Sequence, residues 1–198
     1  GPQQASAEVA PMQLPQAVVL TGNVAPRLTW RQSMAFDIGN QVLGGDSTSR
    51  LFQEVREKRG LVYSVHSFRS GYSDAGMFGV YAGTMPDKAD KTIEVIQEVL
   101  ADVATHGITD DEVARAKGQL RGASVLESED PASRMSRLGE AEVLSGHLLS
   151  LDDVVEEIEN VTSDDIAAVA ALLLKQPQTL TVVGPYEADR TFDTEGPQ

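Results

Sequence analysis

At 198 residues, 41% of them apolar, the chain is long enough to bury one substantial core and too apolar for a disordered polymer. A formal charge of −14 argues against generic nucleic-acid binding, because phosphates want a basic surface. The lack of cysteine excludes disulfides, thiolate zinc sites and cysteine nucleophiles, and no apolar run approaches the ~20 residues of a membrane span.

Gly1-Pro2 matches the remnant of a removed tag, and residues 1–14, rich in Gln, Ala and Pro, read as a loose, disordered leader. No basic-then-apolar signal segment is present, and a reducing cytoplasm suits a chain without cysteine. One domain is expected over 15–186, with a disordered tail over 187–198. "QAVVLT", Gln16 to Thr21, is an apolar run bounded by Pro15 and Gly22 and predicts the first strand. Met34, Ile38 and Val42 recur at four-residue spacing and predict a helix over 29–43, stopped by Gly44-Gly45. Asp46, Ser47 or Thr48 would cap a shorter helix through Lys58, with Leu51 and Val55 inward and Gly60 ending it.

"LVYSVHSFRS" and "GMFGVYAGT" follow as two strands, and "GYSDAG" between them carries hairpin-turn residues. In the second strand Met77, Gly79, Tyr81 and Gly83 share one face, and glycine at alternate positions predicts close packing there, most often by a helix. Pro86 opens a long helix with the stripe Ile93, Ile96, Leu100 and Val103, closed by Gly107. "TDDE", Thr109 to Glu112, is a capping box for a helix to about Glu127. Asp130 and Pro131 start another through Leu144. Ser150 and Thr162 begin two short helices, the second carrying Ile166, Val169 and Leu173, and "TLTVVGP" closes as a buried strand. This order describes an α+β fold: a mixed, mostly antiparallel β-sheet with helices packed largely on one face. The two terminal strands cannot make a sheet alone, so strands distant in sequence must meet.

The histidines His66, His106 and His147 show no i, i+4 pair and no Glu placed to bind zinc and activate water, so no zinc site is expected in this chain. No G-x-S-x-G elbow marks a nucleophilic serine. "GGDSTSR" lacks the Gly-Lys-Ser/Thr of a phosphate loop and follows a helix instead of a strand. From Glu127 to Asp165 twelve acids stand against Arg134 and Arg137, a run that reads as solvated helix faces and capped helix starts.

The exception to the acidic balance is Gly44 to Phe68, with Arg50, Arg56, Lys58 and Arg59, and with Arg69 just beyond. Arg56 falls near a helix end and Tyr63 at a strand start, with Gly60 between. An arginine there donates paired hydrogen bonds to a carbonyl or carboxylate. A tyrosine hydroxyl donates to an oxygen gaining negative charge. The same residues also suit a helix-dipole partner and a core or rim tyrosine.

"LGGDSTSRLFQEVREKRGLVYSVHSF", "AGMFGVYAGT", "RAKGQLRGASVLESEDPASRMSRLGE" and "LTVVGP" together resemble the C-terminal domain of the M16 family, over about Gln16 to Pro185. These are zinc peptidases that include mitochondrial processing peptidases and insulin-degrading enzymes. The resemblance implies a LuxS/MPP-like metallohydrolase half without its own metal. In the family the H-x-x-E-H zinc motif lies in a preceding N-terminal domain, and this sequence has no such motif. The implied role is substrate binding, closing a peptide chamber around zinc held by that other domain, of the same or a partner chain. A dimer is the implied full-length form. An Arg and a Tyr seven residues apart reach the family's zinc site, and they fall here on Arg56 and Tyr63, with Arg59 the nearest competitor. Asp46 stands where the family often has glycine, which puts tight packing of that turn in question. The alternative is a non-catalytic scaffold or interaction subunit of the same superfamily.

Overall fold

Five strands form a single sheet in the order β1-β5-β2-β4-β3: β1 Ser6–Pro11, β2 Ala17–Pro26, β3 Val62–Gly71, β4 Ala75–Thr84 and β5 Thr179–Gly184. The computed structural model describes residues 4–72, 74–145 and 149–193. All strand pairings are antiparallel except β1 with β5. The meeting of distant strands is β2 with β5, in register from Val18↔Val183 to Gly22↔Thr179.

Alternation assigns the two faces. On β2, Ala17, Val19, Thr21, Asn23 and Ala25 are buried; on β4, Phe78, Val80, Ala82 and Thr84 are. This face carries the helices: α1 Trp30–Asn40, α2 Ala89–His106 and α6 Ser163–Leu174. Phe36 of α1 meets Phe78 edge-on with ring centroids 6.1 Å apart. Ile93, Ile96, Leu100 and Val103 are all buried on α2, as their spacing predicts. Each such side chain contributes about 1.5–3 kcal/mol on leaving water. Around this layer run α3 Asp110–Glu129, α4 Pro131–Glu140 and α5 Leu151–Asn160. Thr29, Thr109, Ser150 and Thr162 each form a complete capping box, and the Asp130 carboxylate accepts from the Ser133 N–H at 2.7 Å. No helix among the described residues is long and apolar enough to cross a membrane.

The structure corrects several expectations. Ser6–Pro11, expected within the disordered leader, is an edge strand paired from Ser6↔Thr179 to Pro11↔Gly184. "SAEVAP" carries no apolar run to announce it; the strand is recruited by the open edge of β5, a contact between the two ends of the sequence. Of the expected tail, the stretch Glu187 to Asp193 is tied to the fold at two points: Phe192 is buried and meets Tyr186 edge-on at 5.2 Å, and Arg190 pairs with Asp90 at 2.7 Å. Residues 194–198 lie outside the described set, as does His147. The first predicted strand runs on past Gly22 to Pro26. Gly22 is no stop here, because it lies against the Phe78 carbonyl of the neighbouring strand, where a Cβ has no room. Asn23 stays in the strand, its amide donating to the Leu173 carbonyl.

The face holding Met77, Gly79, Tyr81 and Gly83 carries no helix of this chain among the described residues; all the helices that touch the sheet use the opposite side. Phe68 of β3 leans over Gly79 instead, with its ring edge 2.7 Å from where a Cβ would stand.

Candidate functional site

Gly44 to Arg69 builds one corner of the molecule. After α1 the chain passes through wide i→i+5 turns at Gln41–Gly45 and again at Phe52–Glu57. At the entry to the second segment the Ser49 hydroxyl accepts from the Phe52 N–H at 3.4 Å. Asp46 was one of the expected caps and has another task. One carboxylate oxygen accepts from the Thr48 N–H and hydroxyl, both at 2.7 Å, and the other from the amides of Gln41 and Gln119 at 3.0 and 2.9 Å. It thereby ties the turn to α3. Its backbone is extended, so no glycine is required there, while neighbouring Gly44 packs directly on Ser67. The turn is tight at Gly44 and tolerant at Asp46.

Leu51 and Val55 are fully buried and anchor this segment to the core. The Gly60 N–H donates to the Arg56 carbonyl at 2.9 Å and the Leu61 N–H to the Val55 carbonyl at 3.0 Å. Gly60 has φ 58, a left-handed conformation that glycine adopts without strain. The helix end and the start of β3 thus become two limbs of one tight turn, with Arg56 on one and Tyr63 on the other. Tyr63 stands where the β3–β4 register slips between Val62 and Ser64, a bulge that re-aims a side chain. Arg56 is exposed, and Tyr63 is 57% exposed.

The basic strip is mostly neutralised from within. Arg50 forms a bidentate pair with Glu112 at 2.8 and 2.7 Å and reaches Asp102 at 2.9 Å. Glu54 takes Lys58 at 2.5 Å and Arg59 at 2.6 Å, and together they hold its carboxyl below the usual range. Arg59 also donates to the Glu54 carbonyl at 2.8 Å, so this competitor is tethered. Arg69 lies 5.4 Å over the Phe36 ring. Arg56 has no carboxylate partner among the described residues; its guanidinium rests 4.9 Å over the Phe52 ring. Among the described residues, no hydrogen-bond acceptor takes the Arg56 donors.

The Arg50–Glu112 pair gives a pH prediction. Arg50's hydrogen bonds, aided by Thr109 and opposed by burial, lower the Glu112 carboxyl from 4.5 to about 2. A depressed carboxyl stabilises the fold fully above its unfolded pKa, and that stability drains as pH falls through 4.5 towards about 2. Asp130, Asp153 and Asp165 are lowered too and share the acid sensitivity. Glu112→Gln should lower the urea midpoint at neutral pH and make the loss of stability shallower across that window. A midpoint-versus-pH curve parallel to that of the parent chain would show that the pair does not contribute.

Recesses lie elsewhere, two of them apolar. An apolar cavity of 210 Å³ sits between α1, the end of α2 and α6, lined in part by Phe36, Phe78, Ile166 and Leu173. A shallower depression lies on the helix-free face, lined by Leu20, Gly22, Val24, Phe68, Met77 and Gly79. Neither Arg56 nor Tyr63 lines these two. On that same face His66 stacks on Tyr81 with centroids 5.1 Å apart. Only the strand register, His66↔Tyr81, reveals the pair. His106 is held by Asp102 at 2.9 Å. Among the described residues no three His, Cys, Asp or Glu side chains converge as metal ligands.

A family model described as "Peptidase M16 inactive domain" matches residues 2–120, more than half of the chain. A Streptomyces coelicolor protein named as an uncharacterized zinc protease is 45% identical over 181 residues, 90% of this chain and 39% of that protein. A Mycobacterium tuberculosis protein of the same description is 42% identical over 177 residues, 89% of this chain and 40% of that protein. The chain thus spans about two-fifths of the length of these curated relatives. A crystal structure of a peptidase M16 inactive domain from Pseudomonas fluorescens superposes with a TM-score of 0.84 at 26% identity, over 96% of this chain and 45% of that one. A Helicobacter pylori protease structure shares the fold, with a TM-score of 0.80 at 20% identity, over 92% of this chain and 44% of that one. The α+β sheet with helices on one face is the fold these proteins share, and the chain belongs to the M16 peptidase family, as its inactive, C-terminal type of domain.

Proposed function

We propose that this chain is the substrate-binding C-terminal half of a cytoplasmic zinc-dependent metalloendopeptidase, facing a preceding domain that holds the metal. The observation that carries the reading is that Arg56, on the opposite limb of the Gly60 turn from Tyr63, has no carboxylate partner among the described residues, in a strip where Arg50, Lys58 and Arg59 are committed to carboxylates. The relatives' names and lengths support the rest: proteins called zinc proteases, more than twice as long as this chain's match to them.

Zinc, bound by the preceding half, would supply the hydrolytic chemistry. This chain's part is to hold peptide. Arg56 offers a planar, paired donor to a peptide carbonyl or a terminal carboxylate. Tyr63 offers one hydroxyl donor to an oxygen that gains charge as the carbonyl becomes tetrahedral. With Arg50, Lys58 and Arg59 paired to carboxylates, Arg56 is the cation of this corner left to meet carbonyl oxygens, while the acidic remainder keeps the protein in solution. Two chains would close the chamber by pairing.

The test is peptide cleavage by the full-length protein and by this chain alone. The full-length protein is expected to cleave in a chelator-sensitive way and the isolated chain not at all. Zinc-dependent cleavage by the isolated chain overturns the division of labour. A preceding half that lacks H-x-x-E-H, with no partner chain supplying it, replaces the peptidase reading with that of a scaffold subunit.

A further inference from the structure

The backbone of Gly60 and Leu61 carries two donors and two acceptors, and the chain satisfies all four from different elements. The two N–H groups donate back into the preceding helical segment, to the Arg56 and Val55 carbonyls. The two carbonyls are taken by side chains. The Leu61 carbonyl accepts from the Thr84 hydroxyl at 2.5 Å, and the Gly60 carbonyl from the Lys88 ammonium at 3.1 Å. Thr84 is the last residue of β4, and Lys88 ends the short turn that leads into α2. Both donors therefore come from the β4–α2 junction.

Thr84 is fully buried, on the face of β4 where Val80 and Ala82 are fully buried too. Packing alone favours valine at such a position, because a buried hydroxyl costs free energy unless it is hydrogen-bonded. The bond it makes is the one to Leu61. Behind it stands Thr92 of α2, also fully buried, its hydroxyl 3.2 Å from the Thr84 oxygen and 2.9 Å from the Lys88 carbonyl. With the Thr84 proton given to Leu61, its oxygen is open to the Thr92 proton, for which the Lys88 carbonyl competes. These hydroxyls tie the first turn of α2, the end of β4 and the Gly60 turn together.

The tie ends where the β3–β4 ladder is irregular. Val62 pairs with Thr84 and Ser64 with Gly83, and Tyr63 falls in the slip between them. A bulged residue has no cross-strand partner to fix its direction, so its direction comes from the residues on either side. Thr84 grips both residues that lead into Tyr63: Leu61 by its side chain and Val62 by the ladder. Lys88 grips the glycine that separates the limb of Arg56 from the limb of Tyr63.

We infer that Thr84 and Lys88 are positioning residues: they clamp the Gly60 turn from the β4–α2 junction and so set the direction in which Tyr63 is presented relative to Arg56. Neither needs to touch peptide. A displacement of about 1 Å in a positioned group costs roughly 10²-fold in rate, so such a clamp has a measurable consequence. The inference rests on the substrate-binding reading of Arg56 and Tyr63 and adds what holds the two in place.

Thr84→Val removes the donor and keeps the shape, and Thr84→Ser keeps the donor. Amide hydrogen exchange in the isolated chain reads the turn directly. In Thr84→Val the Gly60 and Leu61 amides should exchange at least about fivefold faster, beyond any change at Ile96, which is buried in the middle of α2. In Thr84→Ser they should stay near the parent rate. Lys88→Met, at a half-buried position outside the core, is the second variant and should speed exchange at Gly60. In the full-length protein Thr84→Val should lower kcat about tenfold with far less change in KM, and Thr84→Ser should restore most of it. In a Tyr63→Phe background Thr84→Val should add little, because no hydroxyl is left to aim. Gly60 and Leu61 exchange that follows Ile96 in both Thr84→Val and Lys88→Met overturns the clamp. A fall in kcat that is as large in the Tyr63→Phe background, or that Thr84→Ser does not repair, overturns the link to Tyr63. Turnover indifferent to Tyr63→Phe itself removes the substrate-binding role of that tyrosine, while faster exchange at the turn still upholds the clamp and unchanged exchange still overturns it.

Discussion

Phe78→Ala is expected to destabilise the chain by about 3–5 kcal/mol, the range for emptying a large aromatic site in a core. Phe78 is 1% exposed and sits on the helix-facing side of β4, in edge contact with Phe36. It also lines the 210 Å³ cavity between α1, α2 and α6. That position places the effect at the upper end. A truncated site collapses only if neighbours move in, and on the side of the recess fewer atoms are there to do so. A domain of ordinary stability has about 5–15 kcal/mol in total, so the loss is a large fraction of it. Urea unfolding followed by circular dichroism measures it. A loss below about 1 kcal/mol would mean that the α1–β4 contact is not the packed centre described here. Val24→Ala, on the other side of the same sheet, provides the contrast and should stay within about 0.5 kcal/mol in the isolated chain, because Val24 is exposed there.

What could be read from the sequence divides along the same line as these two variants. Local signals were legible. Spacings of three and four residues gave α2 its buried stripe, and the Thr109–Glu112 box and Thr162 marked helix starts. Their physics involves neighbours within one turn. The resemblance in "GGDSTSRLFQEVREKRGLVYS" identified the family because that stretch is a single folded corner. What was missed is non-local. β1 is a strand because β5, at the far end of the sequence, presents an unpaired edge. Gly22 reads as a stop in one dimension and is a close approach in three, since its neighbour Phe78 lies in another strand. The glycine face of β4 was recognised as special, but periodicity does not say which side of a sheet the chain's own helices will choose. The partners of the basic strip were hidden for the same reason: Glu112 and Asp102, which neutralise Arg50, arrive from α3 and α2.

That neutralisation sharpens the second large expected effect. In the full-length protein, Arg56→Ala and Tyr63→Phe should each remove about 1–4 kcal/mol of transition-state stabilisation, a roughly 5- to 10³-fold fall in kcat/KM. Arg59→Ala should do far less, because Glu54 holds that guanidinium from two sides. The split between kcat and KM separates the roles. An arginine that only grips peptide raises KM, whereas a phenol that meets charge formed in the transition state lowers kcat. Because the Gly60 turn places the two on adjoining limbs, the double variant should lose less than the sum of the singles if both meet the same peptide group. Neither variant should move the unfolding midpoint of the isolated chain by more than about 0.5 kcal/mol, since both side chains are exposed. A fall in turnover that tracks a fall in stability would reassign the pair to the fold. Turnover unchanged by either substitution would leave the Gly60 corner without a part in the reaction, and the charge pattern that singled out Arg56 would then be a surface feature alone.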